Sequence, residues 1–215
     1  AYVMLTEAPW LGYLRAGRFT PEFGLRLDDH TALTRRTFDL DDALPDARVT
    51  GVEMGVNPNR PYARVAWLKG KARGVTPKAY DIFDVDPGHA LSANVGYREV
   101  NFSVGASWLA RRRALAQGGD ADSYALTASF NPWYYSKHLP LTWQAEADFG
   151  DYRRESGRKT RRAAFYQELD WLAGNGVNLL VAQDWADPDR EVRDDESWRL
   201  SGGVQVTPLP GITAA

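Results

Sequence analysis

The chain has 215 residues, a formal charge of −2, no cysteine and a mean hydropathy of −0.45. Near-neutral charge argues against a nucleic-acid surface, which needs a strong basic excess. The lack of cysteine removes disulfides, thiolate nucleophiles, cysteine zinc sites and c-type haem attachment. No apolar run approaches the roughly 18 residues of a membrane-spanning helix.

Composition does not separate a soluble β protein from a transmembrane barrel, because a barrel strand alternates apolar and polar residues and averages to ordinary hydropathy. Periodicity is therefore the test. Helical spacing is nearly absent and alternation is nearly continuous. In chain order, strands are expected near Tyr2–Thr6, Leu11–Phe19, Val49–Val56, Tyr62–Lys69, Ala90–Arg98 and Asn101–Ala110. They continue near Ser123–Asn131, Leu141–Gly150, Arg162–Trp171, Val177–Trp185 and Trp198–Val206, and a last one begins at Gly211. Gly, Pro, Asn and Asp clusters bound them.

Sorting alternate positions gives two faces of different kind. One reads Val52, Met54, Val65, Trp67, Val95, Val104, Leu126, Phe149, Leu169, Val181, Leu200 and their neighbours, with no charge in the aligned strands. The other carries Ser92, Asn94, Ser103, Ser107, Thr127, Ser129, Thr142 and Gln144 together with the charges. Those charges are Glu53, Glu146, Asp148, Glu168, Asp170 and Asp184 against Arg64, Arg98 and Arg199, with Arg15 of the second strand on the same side. Both a half-buried soluble sheet and a membrane barrel demand one apolar and one wet face.

Connections separate these two cases. Short turns at Glu7–Trp10, Asn57–Pro61, Glu99–Val100 and Ala173–Gly176 alternate with long polar loops at Thr20–Arg48, Gly70–His89, Arg111–Ala121, Asp151–Arg161 and Ala186–Ser197. Bacterial outer-membrane barrels show this alternation, and a Greek-key sandwich has no reason to keep it. Trp67, Tyr97, Trp108, Trp143, Trp171, Trp185 and Trp198 fall towards strand ends beside the apolar face, where interface aromatics belong.

The stretch AGRFTPEFGLR, Ala16–Arg26, resembles a segment near the N-terminal strands of phosphate- and polyphosphate-selective porins. The hairpin FYQELDWLAGNGVNLLVAQDW, Phe165–Trp185, is similar to those such barrels repeat. The resemblance covers the whole chain as a pattern and implies a bacterial outer-membrane β-barrel of the porin kind, in contact with outer-membrane lipid and lipopolysaccharide. It further implies a channel lined by Lys and Arg, whereas the charges assigned to the wet face here are mostly acidic. Barrels of this pattern also sheathe multihaem cytochromes in extracellular electron transfer, so a cytochrome partner is an open alternative. With no signal peptide at Ala1 and GITAA ending a few residues into a strand, a piece of a longer barrel is expected.

Enzymatic chemistry finds little footing. His30, His89 and His138 lie far apart in expected loops, so no metal site is expected, and no cofactor. No G-x-S-x-G elbow, phosphate loop or H-E-x-x-H occurs. Asp29–His30 near Thr31 and Thr34 is the one faint candidate, and a polar loop explains it. The carboxylate pairs Glu146/Asp148 and Glu168/Asp170 recur on the wet face of adjacent strands, as a pore wall would place them. The runs Arg111–Arg113 and Arg161–Arg162 sit at loop bases, either solvated or against lipopolysaccharide phosphates.

The expectation is therefore a single all-β domain over residues 1–215, an antiparallel up-and-down transmembrane barrel of about 12 visible strands, acting as a non-enzymatic porin-like channel for small polar or charged solutes. The long connection Thr20–Arg48 exceeds ordinary loops and is expected to fold into the lumen, with Arg35, Arg36, Asp41 and Asp42 setting the charge of a constriction. A soluble all-β ligand-binding protein, with the apolar face turned inward, is the other alternative.

Overall fold

The computed structural model describes residues 1–20, 22–25, 32–38, 49–69, 89–112, 119–136, 138–153, 157–174, 176–209 and 212–214. Twelve strands form one sheet in simple sequence order, every neighbouring pair antiparallel. They are β1 (Tyr2–Ala8), β2 (Gly12–Phe19), β3 (Val49–Val56), β4 (Pro61–Lys69), β5 (His89–Arg98) and β6 (Phe102–Arg112). The remainder are β7 (Asp120–Phe130), β8 (Leu141–Arg153), β9 (Lys159–Gly174), β10 (Val177–Asp187), β11 (Ser197–Leu209) and β12 (Ile212–Ala214). A short helix, α1 (Leu33–Thr37), lies between β2 and β3, and single 3-10 turns occupy Pro9–Leu11 and Pro132–Tyr134. β1 and β12 form the two edges and are not paired with each other among the described residues.

The architecture is an all-β, antiparallel, up-and-down sheet, as the alternation predicts. Its burial runs opposite to a soluble sheet. Glu53, Glu146 and Asp184 are 1% exposed and Asp148 is 0%, while Met54 is 63%, Leu126 58% and Leu200 77% exposed. A soluble protein would reverse these figures, because burying a carboxylate costs several kcal/mol and exposing apolar area forgoes about 25 cal/mol per Å².

On the exposed apolar face, aromatic residues recur six positions apart along four consecutive strands: Phe102/Trp108, Tyr124/Phe130, Trp143/Phe149 and Phe165/Trp171. Pairing aligns those of β6, β7 and β8, with Phe102 opposite Phe130, Phe130 opposite Trp143, Trp108 opposite Tyr124 and Tyr124 opposite Phe149. On β9, Phe165 and Trp171 stand two residues nearer the short-turn end, opposite Ala147 and Leu141. Six residues span about 20 Å along a strand. Two rows of rings thus bracket an aliphatic band, the pattern of interface girdles. Gln167 and Gln183, the polar pair on this face, lie opposite each other, and Gln167 Nε2 donates to Gln183 Oε1 at 2.8 Å. Mutual bonding lowers the cost of a polar pair on an apolar face.

Several strands outrun their expected ends. β6 continues to Arg112, β8 to Arg153, and β9 begins at Lys159. The expectation that the apolar face is free of charge is corrected there: the extended ends place Arg112, Asp120, Asp122, Asp151, Arg153, Lys159 and Arg161 on its alternation. Alternation carries the ladder into segments whose polarity suggests loop.

Candidate functional site

The charged face is a site because chain segments from the connection between β2 and β3 lie against it at two docks. At the first, Phe23 is buried with Phe19, Ala66, Leu68, Ala90, Leu109 and Ala125. All but Phe23 are strand residues pointing to the otherwise polar side, where they make an apolar floor under it. Burying one phenylalanine contributes about 1.5–3 kcal/mol.

Polar contacts fix the backbone around Phe23. Ser92 Oγ donates to the Glu22 carbonyl at 2.8 Å, and the Gly24 N–H donates to Ser107 Oγ at 3.2 Å. The Leu25 N–H donates to Glu146 Oε2 at 3.0 Å. Arg64 Nη1 meets Glu22 Oε2 at 3.0 Å. One four-residue segment therefore ties β4, β5, β6 and β8 together. Gly24 is required here, since its φ of +60° is left-handed and an added Cβ would fall 1.7 Å from Glu146 Oε1.

At the second dock, Phe38 is fully buried with Ala121, Tyr152, Ala164 and Ala186, with Leu33 packed alongside. Its ring meets Tyr152 edge-on, with centroids 6.3 Å apart. Two arginines from the wall reach the end of α1. Arg111 Nη2 donates to the Phe38 carbonyl at 3.2 Å and to Tyr152 Oη at 2.7 Å. Arg162 Nη1 donates to the Thr37 carbonyl at 2.6 Å and stacks its guanidinium 3.9 Å from the Tyr152 ring centroid. Cations at a helix C-terminus satisfy carbonyls the helix leaves open and oppose its dipole.

Each expected wall residue can now be placed. Arg15 Nη2 contacts Glu53 Oε2 at 2.7 Å, Tyr13 donates to Glu53 Oε1 at 2.6 Å, and Arg15 stacks 4.1 Å from the Phe19 ring centroid. Arg199 Nε donates to Asp184 Oδ2 at 2.6 Å. Gln144 and Tyr166 both donate to Glu168, and Asn178 Nδ2 donates to Asp170 at 3.5 Å. Asp148 is buried on the same face as Glu146. Arg98 is exposed at the short-turn end, bonded to Asn57 and 5.6 Å from the Tyr62 ring centroid. Arg35 and Arg36 lie in α1, their side chains outside the described residues, as are Asp41 and Asp42 altogether.

Sequence reasoning missed Arg111, Arg162 and Tyr152. Reading Arg111 and Arg162 as loop-base residues on solvent or lipopolysaccharide is corrected: Arg111 is 0% exposed, and both hold α1. The signal was present. Arg111 continues the alternation of Ser103, Gly105 and Ser107, and Arg162 that of Asp170, Glu168 and Tyr166. With these two, the named bases on the charged face become Arg15, Arg64, Arg98, Arg111, Arg162 and Arg199, as many as its six named acids.

With this geometry in place, the fold can be set beside known structures. No protein-family model and no curated protein matches the sequence. The chain is similar to an anion-selective porin from Comamonas acidovorans, with a TM-score of 0.72 at 13% identity, covering 97% of this chain and 63% of that one. It is also similar to a loop L8 deletion mutant of OmpT, an outer membrane protein of Vibrio cholerae, with a TM-score of 0.52 at 9% identity over 86% of this chain and 56% of that one. In-vitro folded OmpT in its trimer form gives a TM-score of 0.52 at 8% identity over 82% and 66%. The fold is that of porin-type outer-membrane β-barrels, and the chain spans less than two thirds of the length of each of these three.

Proposed function

We propose that the chain forms the wall and inner constriction of a porin-like channel in the bacterial outer membrane, through which small polar or charged solutes diffuse passively. The observation that carries this reading is the inverted burial, an aliphatic band with two aromatic rows outside and a charged face inside on which segments of one connection are docked. An exposed apolar band suits lipid, and a face with closed-off carboxylates and arginines suits an enclosed aqueous path. The soluble alternative would require the opposite burial.

Arg15, Glu53, Arg64, Arg98, Glu146, Asp148, Glu168, Asp170, Asp184 and Arg199 border that path, replacing part of a solute's hydration. The docked connection narrows it, with Arg35 and Arg36 on α1 contributing charge. Carboxylates concentrate on β8, β9 and β10, whereas the bases are spread over β2, β4, β5, β6, β9 and β11. A wall with matched charges filters ions weakly, so strong anion preference is not expected from these residues alone. The test is conductance of the purified protein in planar bilayers under a KCl gradient. Stepwise ohmic openings with a small reversal potential are expected; a protein that inserts, shown by heat-modifiable migration, and carries no current would end the channel reading.

A further inference from the structure

The connection between β10 and β11 carries charge that neither the wall nor the docks use. Residues 187–196 read DPDREVRDDE, six acids against two bases. The ladder below it ends with Trp185 opposite Trp198 and Ala186 opposite Ser197. Asp187 and Asp195 therefore stand at the two feet of this loop, beyond the tryptophan pair and outside the apolar band.

Asp187 is 7% exposed, and Asp195 is half-buried. Oδ1 of each is shut from solvent and meets no hydrogen-bond donor among the described residues. An ionised oxygen held that way loses its hydration and gains nothing in return. The surroundings do not supply the missing charge. Asp189 adds to the repulsion, and Arg190, itself exposed, offsets it in part. Ala163 of β9, opposite Asp187, is uncharged, and Arg161 beyond it faces Asp151 at 3.7 Å. Arg158 is taken up by Asp189 at 2.8 Å, and Arg199 by Asp184. Glu191, Arg193, Asp194 and Glu196 are exposed. Burial first, and the Asp195 charge second, push the Asp187 carboxyl above its ordinary value.

Yet the loop is held down. The Arg190 N–H donates to the Arg161 carbonyl at 2.9 Å, and the Val192 N–H to the Asp189 carbonyl at 2.7 Å. We propose that Asp187 and Asp195 form a proton-operated latch, in which one shared proton lets the two carboxyls bond and closes this loop onto β9. Loss of the proton leaves two buried anions at the feet and loosens the loop. A carboxyl with a raised value in the closed loop stabilises closure below the ordinary carboxylate range, and that stability is lost as pH rises through the raised value. Mild acid therefore tightens the loop. A metal ion is the other charge that could bridge the feet, but no group of three or more His, Cys, Asp or Glu among the described residues is placed to hold one.

The experiment measures hydrogen-exchange protection factors of the Arg190 and Val192 amides in the full chain in non-denaturing detergent. Protection is expected to be at least ~10-fold greater at about pH 5 than at about pH 7.5. Asp187→Asn, whose amide donates without a proton, is expected to keep high protection at both. Should that variant fail to fold, shown by loss of heat-modifiable migration, Asp195→Asn is expected to behave the same way. Glu196→Gln, at an exposed position, should keep the wild-type pH dependence. Equal protection at both pH values in the wild type, or a pH dependence that survives in the folded asparagine variant, overturns the proposal. So does calcium that restores protection at about pH 7.5 and is reversed by a chelator. The latch is read from exchange and the channel from current, so the two readings fail separately.

Discussion

The two docks on the charged face hold one connection with a different balance of bonds. Around Phe23 the docked backbone chiefly donates, Gly24 to Ser107 and Leu25 to Glu146, and one carbonyl, that of Glu22, accepts from Ser92. Around Phe38 the wall supplies donors, and the docked backbone accepts: Thr37 from Arg162, Phe38 from Arg111. The reversal follows from local structure. An irregular turn presents open N–H groups, whereas the end of a helix presents open carbonyls. In both places a buried phenylalanine supplies most of the attraction and the polar bonds supply the direction.

This comparison can be broken from the apolar side. Phe38→Ala removes a fully buried ring, and a cost of about 3–5 kcal/mol is expected, enough to release the second dock. Hydrogen exchange across Leu33–Phe38 should rise by orders of magnitude while Glu22–Leu25 stays protected. If both segments loosen together, the docks are one cooperative unit and the distinction fails.

The donor side is sharpened by Arg111→Met, which keeps length but removes the bonds to Phe38 and Tyr152. A loss of about 1.5–3 kcal/mol is expected, as for hydrogen bonds from a charged group. Larger and noisier single-channel currents should accompany it; an unchanged current would mean that Arg162 alone suffices. At the first dock, Gly24→Ala places a methyl where Glu146 Oε1 now sits and forces a left-handed alanine, costing about 1–2 kcal/mol. The Glu146 carboxylate must swing aside, and Leu25 should lose exchange protection while Phe38 keeps it.

The smallest effect belongs outside both docks. Arg60 and Glu99 pair at 2.9 Å on the short-turn rim, with the arginine side chain 63% exposed. Glu99→Gln should change thermal stability by less than about 1 kcal/mol and leave conductance alone. A large effect there would show that rim electrostatics, not the docks, shape the path.

Much of the fold was legible in the sequence because a sheet with one lipid-facing side writes a period of two into every strand. Val52, Val65, Leu126 and Leu200 declare their side without reference to anything distant. The strand ends were less legible, since Arg112, Arg153 and Lys159 are as polar as a loop and only continuing the count reveals them. The docks were hardest. Leu68 and Leu109 break the polar run on the inner face, but what covers them is Phe23, more than 40 positions earlier in the chain. Likewise Arg111 and Arg162 can be assigned to the inner face by alternation, yet their partners are carbonyls, which no side-chain pattern encodes.

The central claim, that the charged face is enclosed and the apolar face meets lipid, has a direct test in single cysteines, because the chain contains none. Cysteines would be placed in turn at Val95, Val104, Leu126 and Phe149, and at Asn94, Ser103, Thr127 and Ser129, in the protein reconstituted in lipid. Attached fluorophores are expected to be quenched by lipid-borne quenchers at the first four, while the last four react with a small water-soluble thiol reagent added from outside. Labelling that ignores this alternation, or lipid quenching at Thr127 and Ser129, would contradict the account.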